Sequence, residues 1–114
     1  MITTQTTRAE IESLADAASH ELLVRKSHIM AAEGAMKLWT VRDRNGFGPF
    51  VLDSSCSSRR SRRLITEADV RRLASDVRAA ILGRAAVIDD AATKVVVTIR
   101  PQGNGFSIQV SVAY

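Results

Sequence analysis

Thr66-Glu67-Ala68-Asp69-Val70-Arg71-Arg72-Leu73-Ala74-Ser75-Asp76-Val77-Arg78-Ala79-Ala80-Ile81-Leu82-Gly83 is the stretch whose reading decides the fold. Val70, Leu73, Ala74, Val77 and Ile81 return every three or four residues, which draws one apolar stripe along an α-helix. Thr66 and Asp69 have capping-box spacing, Glu67 and Asp69 put negative charge at the positive helix end, and Gly83 is the expected terminator. A helix with a single apolar stripe must bury it against a second layer. The residues that follow supply one: Lys94 to Arg100 reads as a β-branched strand, Pro101 to Gly105 as a turn and Phe106 to Ala113 as a second strand. In that last strand Phe106, Ile108, Val110 and Val112 alternate with Ser107, Gln109, Ser111 and Ala113, the pattern of a half-buried sheet. The apolar side is expected to pack on the Val70 to Ile81 helix.

Upstream of the helix, Asp53-Ser54-Ser55-Cys56-Ser57-Ser58-Arg59-Arg60-Ser61-Arg62-Arg63 has no apolar periodicity. It reads as a flexible loop, residues 53–64, inside a single domain spanning 1–114. Before it, Asn45-Gly46 lies between Trp39-Thr40-Val41 and Phe50-Val51-Leu52 and predicts a central hairpin. Gly48 and Pro49 weaken its second arm, because proline donates no ladder hydrogen bond, so an edge or an irregular excursion is expected. At the N-terminal side, Thr7 and Glu10 repeat the capping-box spacing. Ile11, Leu14, Ala15, Ala18, Leu22 and Ile29 carry a helical stripe over Arg8 to about Ala32, with Gly34 as a stop. Ser27 is placed to cap a break, which leaves open one long helix or two shorter ones. The fold class is α+β: N-terminal helix or helices, a central hairpin, and an amphipathic helix packed on a C-terminal antiparallel β-hairpin.

Composition bounds the chemistry. A chain of 114 residues suits one core, and with only 4% aromatic residues that core must be built from Ala, Val, Ile and Leu. Sixteen Lys and Arg against twelve Asp and Glu give +4, a modest and local excess. One cysteine, Cys56, excludes an internal disulfide framework and a Cys-based zinc cluster. Met1 to Gln5 lacks the pattern of a signal peptide, and no run approaches the roughly 18 apolar residues of a spanning helix. A soluble, unprocessed protein away from membranes is expected.

Catalytic patterns are sparse. The acids sit on solvent faces or at helix starts and form no recognisable carboxylate pair. His20 and His28 are eight apart, without the i, i+4 spacing of metal ligands, and read as surface or boundary residues. Cys56 among serines and arginines can have a lowered thiol pKa and crosslink to another chain; its plainer reading is an incidental exposed cysteine. Gly103-Asn104-Gly105 joins two strands and does not open a helix, so it is a turn and not a phosphate loop. No enzyme activity, cofactor or metal is expected.

Two surfaces invite partners. Arg59, Arg60, Arg62 and Arg63 fall within five residues, and Arg71, Arg72 and Arg78 follow on the next helix. Arg59, Arg60, Arg62, Arg63, Arg71 and Arg72 form a basic contact patch able to pair with carboxylates or grip phosphates, although aromatic stacking platforms are missing nearby. If the last strand lies at a sheet margin, it can accept a strand from another subunit, with Ser107, Gln109, Ser111 and Ala113 as the partner-binding edge. Periodicity leaves open that this strand is internal, covered by the first hairpin.

The helix Val70 to Ile81, the short link, and the strands Val95-Val96-Val97-Thr98-Ile99 and Phe106-Ser107-Ile108-Gln109-Val110-Ser111-Val112 resemble the C-terminal half of the sheath-initiator proteins of contractile phage tails, a baseplate-wedge family also represented in type VI secretion. The resemblance covers about half the chain. The Glu-Pro-Arg motif common in that family is absent after the helix, where Gly83-Arg84-Ala85-Ala86 stands, and Gly46-Phe47-Gly48-Pro49-Phe50 does not clearly match its glycine- and arginine-rich Phe-Gly segment. The resemblance implies a non-enzymatic virion protein of the tail baseplate, assembled in the host cytoplasm and present in multiple copies. Its partners would be tail sheath, tail tube or baseplate wedge proteins, and its sheet would receive extended strands of the first sheath ring. Arg59 to Arg63 would then meet acidic surfaces of those neighbours. The alternative is a small basic nucleic-acid-binding protein acting through the arginine patch, and a thiol-dependent enzyme centred on Cys56 is a more remote third.

Overall fold

A computed structural model describes residues 8–31, 35–44, 46–53, 65–103 and 105–114. In chain order the elements are α1 (Arg8–Val24), α2 (Lys26–Ala31), β1 (Met36–Asp43), β2 (Gly46–Phe47), β3 (Val51–Asp53), α3 (Glu67–Gly83), β4 (Lys94–Gln102) and β5 (Gly105–Ala113). The fold is α+β, with helices against one face of a curled antiparallel sheet.

The central helix forms as its sequence dictates. Thr66 Oγ1 accepts from the Asp69 N–H at 3.2 Å, and Asp69 Oδ2 accepts from the Thr66 N–H at 2.9 Å. Two of the free donors at the helix start are thereby satisfied reciprocally. Val70, Leu73, Ala74, Val77 and Ile81 are all buried. Gly83 is the last helical residue, without a left-handed φ. The helix instead tightens as the Arg84 N–H turns back to the Ile81 carbonyl at 3.0 Å and the Ala85 N–H to the Leu82 carbonyl at 3.2 Å.

Helical structure begins at Arg8, and the stripe Ile11, Leu14, Ala15, Ala18 and Leu22 is buried against α3. Of the two readings left open, two helical segments are present. The interruption falls at Arg25, two residues before Ser27, and is slight, since the Arg25 N–H still reaches the Glu21 carbonyl and the Ile29 N–H the Arg25 carbonyl, each at 3.0 Å. Ion pairs tie the layer together: Arg78 to Asp16 at 2.6 Å across α1 and α3, and Lys26 to Glu67 at 2.9 Å across α2 and α3. The cap at Thr7 and the stop at Gly34 lie outside the described residues, as does most of the 53–64 segment; Asp53 itself is the last residue of β3.

The sheet runs β2-β1-β4-β5, with β3 also pairing β1. The central hairpin is present and irregular. Asp43 lies opposite Gly46, whose φ of 104° suits glycine, so Gly46 begins the returning arm. That arm breaks at Gly48 and Pro49 before Val51 pairs with Trp39. The C-terminal hairpin is tighter than its sequence predicts. Gln102 lies opposite Gly105, and Gly103 takes the left-handed φ of 56° that a two-residue reversal needs. Pro101 is therefore inside β4, not in the turn. Met36, Leu38 and Thr40 of β1, and Val95, Val97 and Ile99 of β4, point into one core shared with the helices.

Candidate strand-accepting edge and the opposite sheet face

β5 pairs with β4 along its whole length, from Gly105 opposite Gln102 to Ala113 opposite Lys94. On its other side it has no strand among the described residues. The first hairpin cannot cover it, because β1 lies against the far side of β4, with Met36 opposite Ile99 and Val41 opposite Lys94.

The register determines which main-chain groups face outward. A two-residue reversal makes the flanking Gln102 and Gly105 a hydrogen-bonded pair, and bonded and non-bonded pairs then alternate along an antiparallel ladder. Gly105, Ser107, Gln109, Ser111 and Ala113 accordingly turn their main chain toward β4. Phe106, Ile108, Val110 and Val112 turn theirs outward. Three contacts agree with this phase. Pro101, which has no N–H, falls opposite Phe106 at a non-bonded position. The Ala113 carbonyl accepts from the Thr93 N–H at 2.8 Å, on the β4 side. The Val110 carbonyl instead accepts from an Arg84 guanidinium nitrogen at 3.3 Å, beyond the ladder.

This corrects the assignment of the edge to Ser107, Gln109, Ser111 and Ala113. Their side chains are exposed on the face away from the helices, but their main-chain groups are already committed to β4. The outward donors and acceptors belong to the alternate set, whose side chains pack toward the helices: Val110 is buried, while Phe106, Ile108 and Val112 are half-buried against the core. The signal was present in the sequence. Pro101 two residues before Gly103 can sit in a strand only where its nitrogen is not needed by β5, and that fixes the phase of every later residue.

Arg84 comes to this margin because α3 ends beside β5 and the chain then turns through residues 84–87. The Tyr114 hydroxyl donates to the Val87 carbonyl, fastening the chain end to the same turn. Arg84 makes no ion pair among the described residues.

The face of the sheet away from the helices is the second open surface. Val51, Trp39, Val96 and Ser111 lie side by side across β3, β1, β4 and β5. Val51 is 44% exposed and Val41 47%. Lys94 places its ammonium 5.2 Å from the centre of the Trp39 ring, a cation–π contact. Sequence reading placed Trp39 in a strand without assigning its face; its pairing with Val51 and Val96 settles that.

Of the other predicted site residues, only those on α3 are described. Cys56, Arg59, Arg60, Arg62 and Arg63 lie outside the described residues. Arg71 and Arg72 are exposed on α3, and Arg71 donates to Glu67 at 3.2 Å, so part of its charge is matched. The hydrogen bond from Lys26, its charge and that of Arg71 hold the Glu67 carboxyl below the usual carboxylate range. Arg78 is raised from its ordinary value, chiefly by its hydrogen bond to Asp16. His20 and His28 are both exposed. No group of three or more His, Cys, Asp or Glu able to hold a metal ion occurs among the described residues, and no described helix is long and apolar enough to cross a membrane. Comparison with protein-family models, curated proteins and solved structures gives no match.

Proposed function

We propose that the chain is a non-enzymatic structural protein that accepts an extended segment of a partner on the outer margin of β5, and that it does so at the baseplate of a contractile phage tail, where the added strand starts sheath assembly. The observation that carries this reading is a nine-residue strand that, among the described residues, is paired on one side only, with the main chain of every second residue, Phe106, Ile108, Val110 and Val112, turned outward. Such a margin templates pairing: main-chain hydrogen bonds supply affinity and alternate side chains supply register. The helix layer behind it makes the template stiff. Val97 and Ile99 of β4 are fully buried against that layer, so an incoming strand meets a fixed ladder and loses only its own conformational freedom. The contractile-tail setting rests on the resemblance of the C-terminal half.

The test uses Ile108→Pro, which removes an outward N–H without removing a bond to β4. Where a sheath subunit is encoded nearby, the protein is mixed with it, and polymerisation is followed by light scattering and electron microscopy. The wild-type protein is expected to shorten the lag, with new sheath growing from it, and the folded Ile108→Pro variant is expected not to. Equal lags for the two proteins would overturn strand acceptance at β5. The absence of any sheath gene nearby would overturn the tail setting alone. Steeply salt-dependent oligonucleotide binding that disappears when Arg59, Arg60, Arg62 and Arg63 become alanine would put the nucleic-acid reading in its place.

A further inference from the structure

We infer that the segment received at β5 carries a carboxylate opposite Val110, held by Arg84, between apolar residues opposite Ile108 and Val112. The inference rests on the strand-accepting reading and specifies its ligand. Residues directly opposite each other in a ladder project side chains to the same face. Val110 points toward the helices, so the incoming residue that exchanges hydrogen bonds with it also projects toward the helix layer. Arg84 stands in that layer, at the C-terminal cap of α3, with its guanidinium on the Val110 carbonyl.

At 3.3 Å that hydrogen bond is long. It leaves a cation without a carboxylate among the described residues at the point where a partner strand would arrive. A planar guanidinium matches a carboxylate with two parallel hydrogen bonds, better than it matches a single carbonyl. When the incoming N–H takes the Val110 carbonyl, Arg84 is released to an acid on the same residue. Ile108 and Val112 are half-buried with one flank open, so the residues opposite them complete an apolar row. Those opposite Gln109 and Ser111 project to the exposed face and are polar. The pattern is apolar, polar, acidic, polar, apolar along an antiparallel strand, the polarity in which directly opposite residues exchange both hydrogen bonds, and it fixes the register.

Charge also selects against a second copy of this chain pairing through the same margin. Gly105 to Ala113 contains no acidic residue, so self-pairing of β5 leaves both copies of Arg84 unmatched.

The test is an NMR titration of the 15N-labelled protein with the blocked heptapeptide Thr-Val-Thr-Glu-Thr-Val-Thr and its Gln and Lys analogues at the central position. The Glu peptide is expected to move the amide signals of Ile108, Val110 and Val112 and to bind about five- to tenfold more tightly than the Gln peptide. With Arg84→Glu the order is expected to reverse in favour of the Lys peptide. Equal affinity for all three peptides, with binding lost in Ile108→Pro, would overturn the acidic requirement and leave strand addition standing. No shift at the outward amides with any peptide, or shifts that persist unchanged in Ile108→Pro, would overturn both.

Discussion

The two margins of this sheet are built in opposite ways. Beside β1 the chain returns as two short pieces, β2 with two residues and β3 with three, separated by Gly48-Pro49-Phe50. The Gly48 N–H closes on the Val41 carbonyl at 2.9 Å, and the Thr40 hydroxyl donates to the Gly48 carbonyl at 2.6 Å, so the irregular stretch is satisfied internally. Arg42 lies over the Phe47 ring at 4.4 Å and also donates to the carbonyls of Asp89 and Asp90. Short strands, a proline and a covering cation are the usual protections of a sheet edge. The β5 margin has nine residues in unbroken register, and its only such device among the described residues is Arg84. Among the described residues the β5 margin is thus the one suited to the proposed strand acceptance.

The sharpest ways to break this comparison begin with the strand that separates the two margins. Ile99→Ala in β4 deletes a fully buried side chain held between β1 and β5, and is expected to cost roughly 2–5 kcal/mol by chemical denaturation. A loss far smaller than this would mean that the margins are held independently. Next comes the proline pair. Gln109→Pro removes a donor committed to β4 and is expected to destabilise by roughly 2–4 kcal/mol, whereas Ile108→Pro loses no ladder bond and is expected to cost about 1–2 kcal/mol through its side chain. Thermal melts showing the reverse order would put the register out of phase and move the outward groups to the other residue set.

Smaller effects sharpen the picture at the helix layer. Thr66→Ala removes the cap of α3 and is expected to cost about 1 kcal/mol while leaving peptide capture at β5 unchanged. A loss of capture beyond the loss of folded protein would show the margin to be coupled to the helix start. The smallest effect concerns Glu67, whose carboxyl is held below its usual range in the folded chain. A group depressed in this way stabilises the fold above its unfolded value, and that increment disappears as the pH falls through the folded value. Urea midpoints compared between neutral and acidic pH are therefore expected to fall slightly less for Glu67→Gln than for the wild type, and this difference is expected to shrink in high salt because the pair is exposed.

Much of the architecture could be read directly from local pattern. The stripe from Val70 to Ile81, the Thr66 and Asp69 cap and the alternation from Phe106 to Val112 each constrain residues a few positions apart, and each is present as expected. The break in the first helix was less legible, because Ser27 signals a cap while the chain departs at Arg25 with its hydrogen bonds nearly intact. The edge assignment went to the wrong residue set because side-chain alternation reports which face is wet and says nothing about which main-chain groups are spent. Pro101 held that information, but only once the reversal was known to occupy two residues.

The sequence by itself determined the helices, their buried stripes and the hairpin at the end with its buried face, since helix caps, apolar spacing and glycine-favoured turns act over a few residues. Tertiary structure alone decided that β1 crosses to the far side of β4, leaving β5 outermost among the described strands, and that Arg84 arrives over Val110 from 26 positions away. Strand order depends on which long-range pairing closes the core best, a competition that no local pattern records.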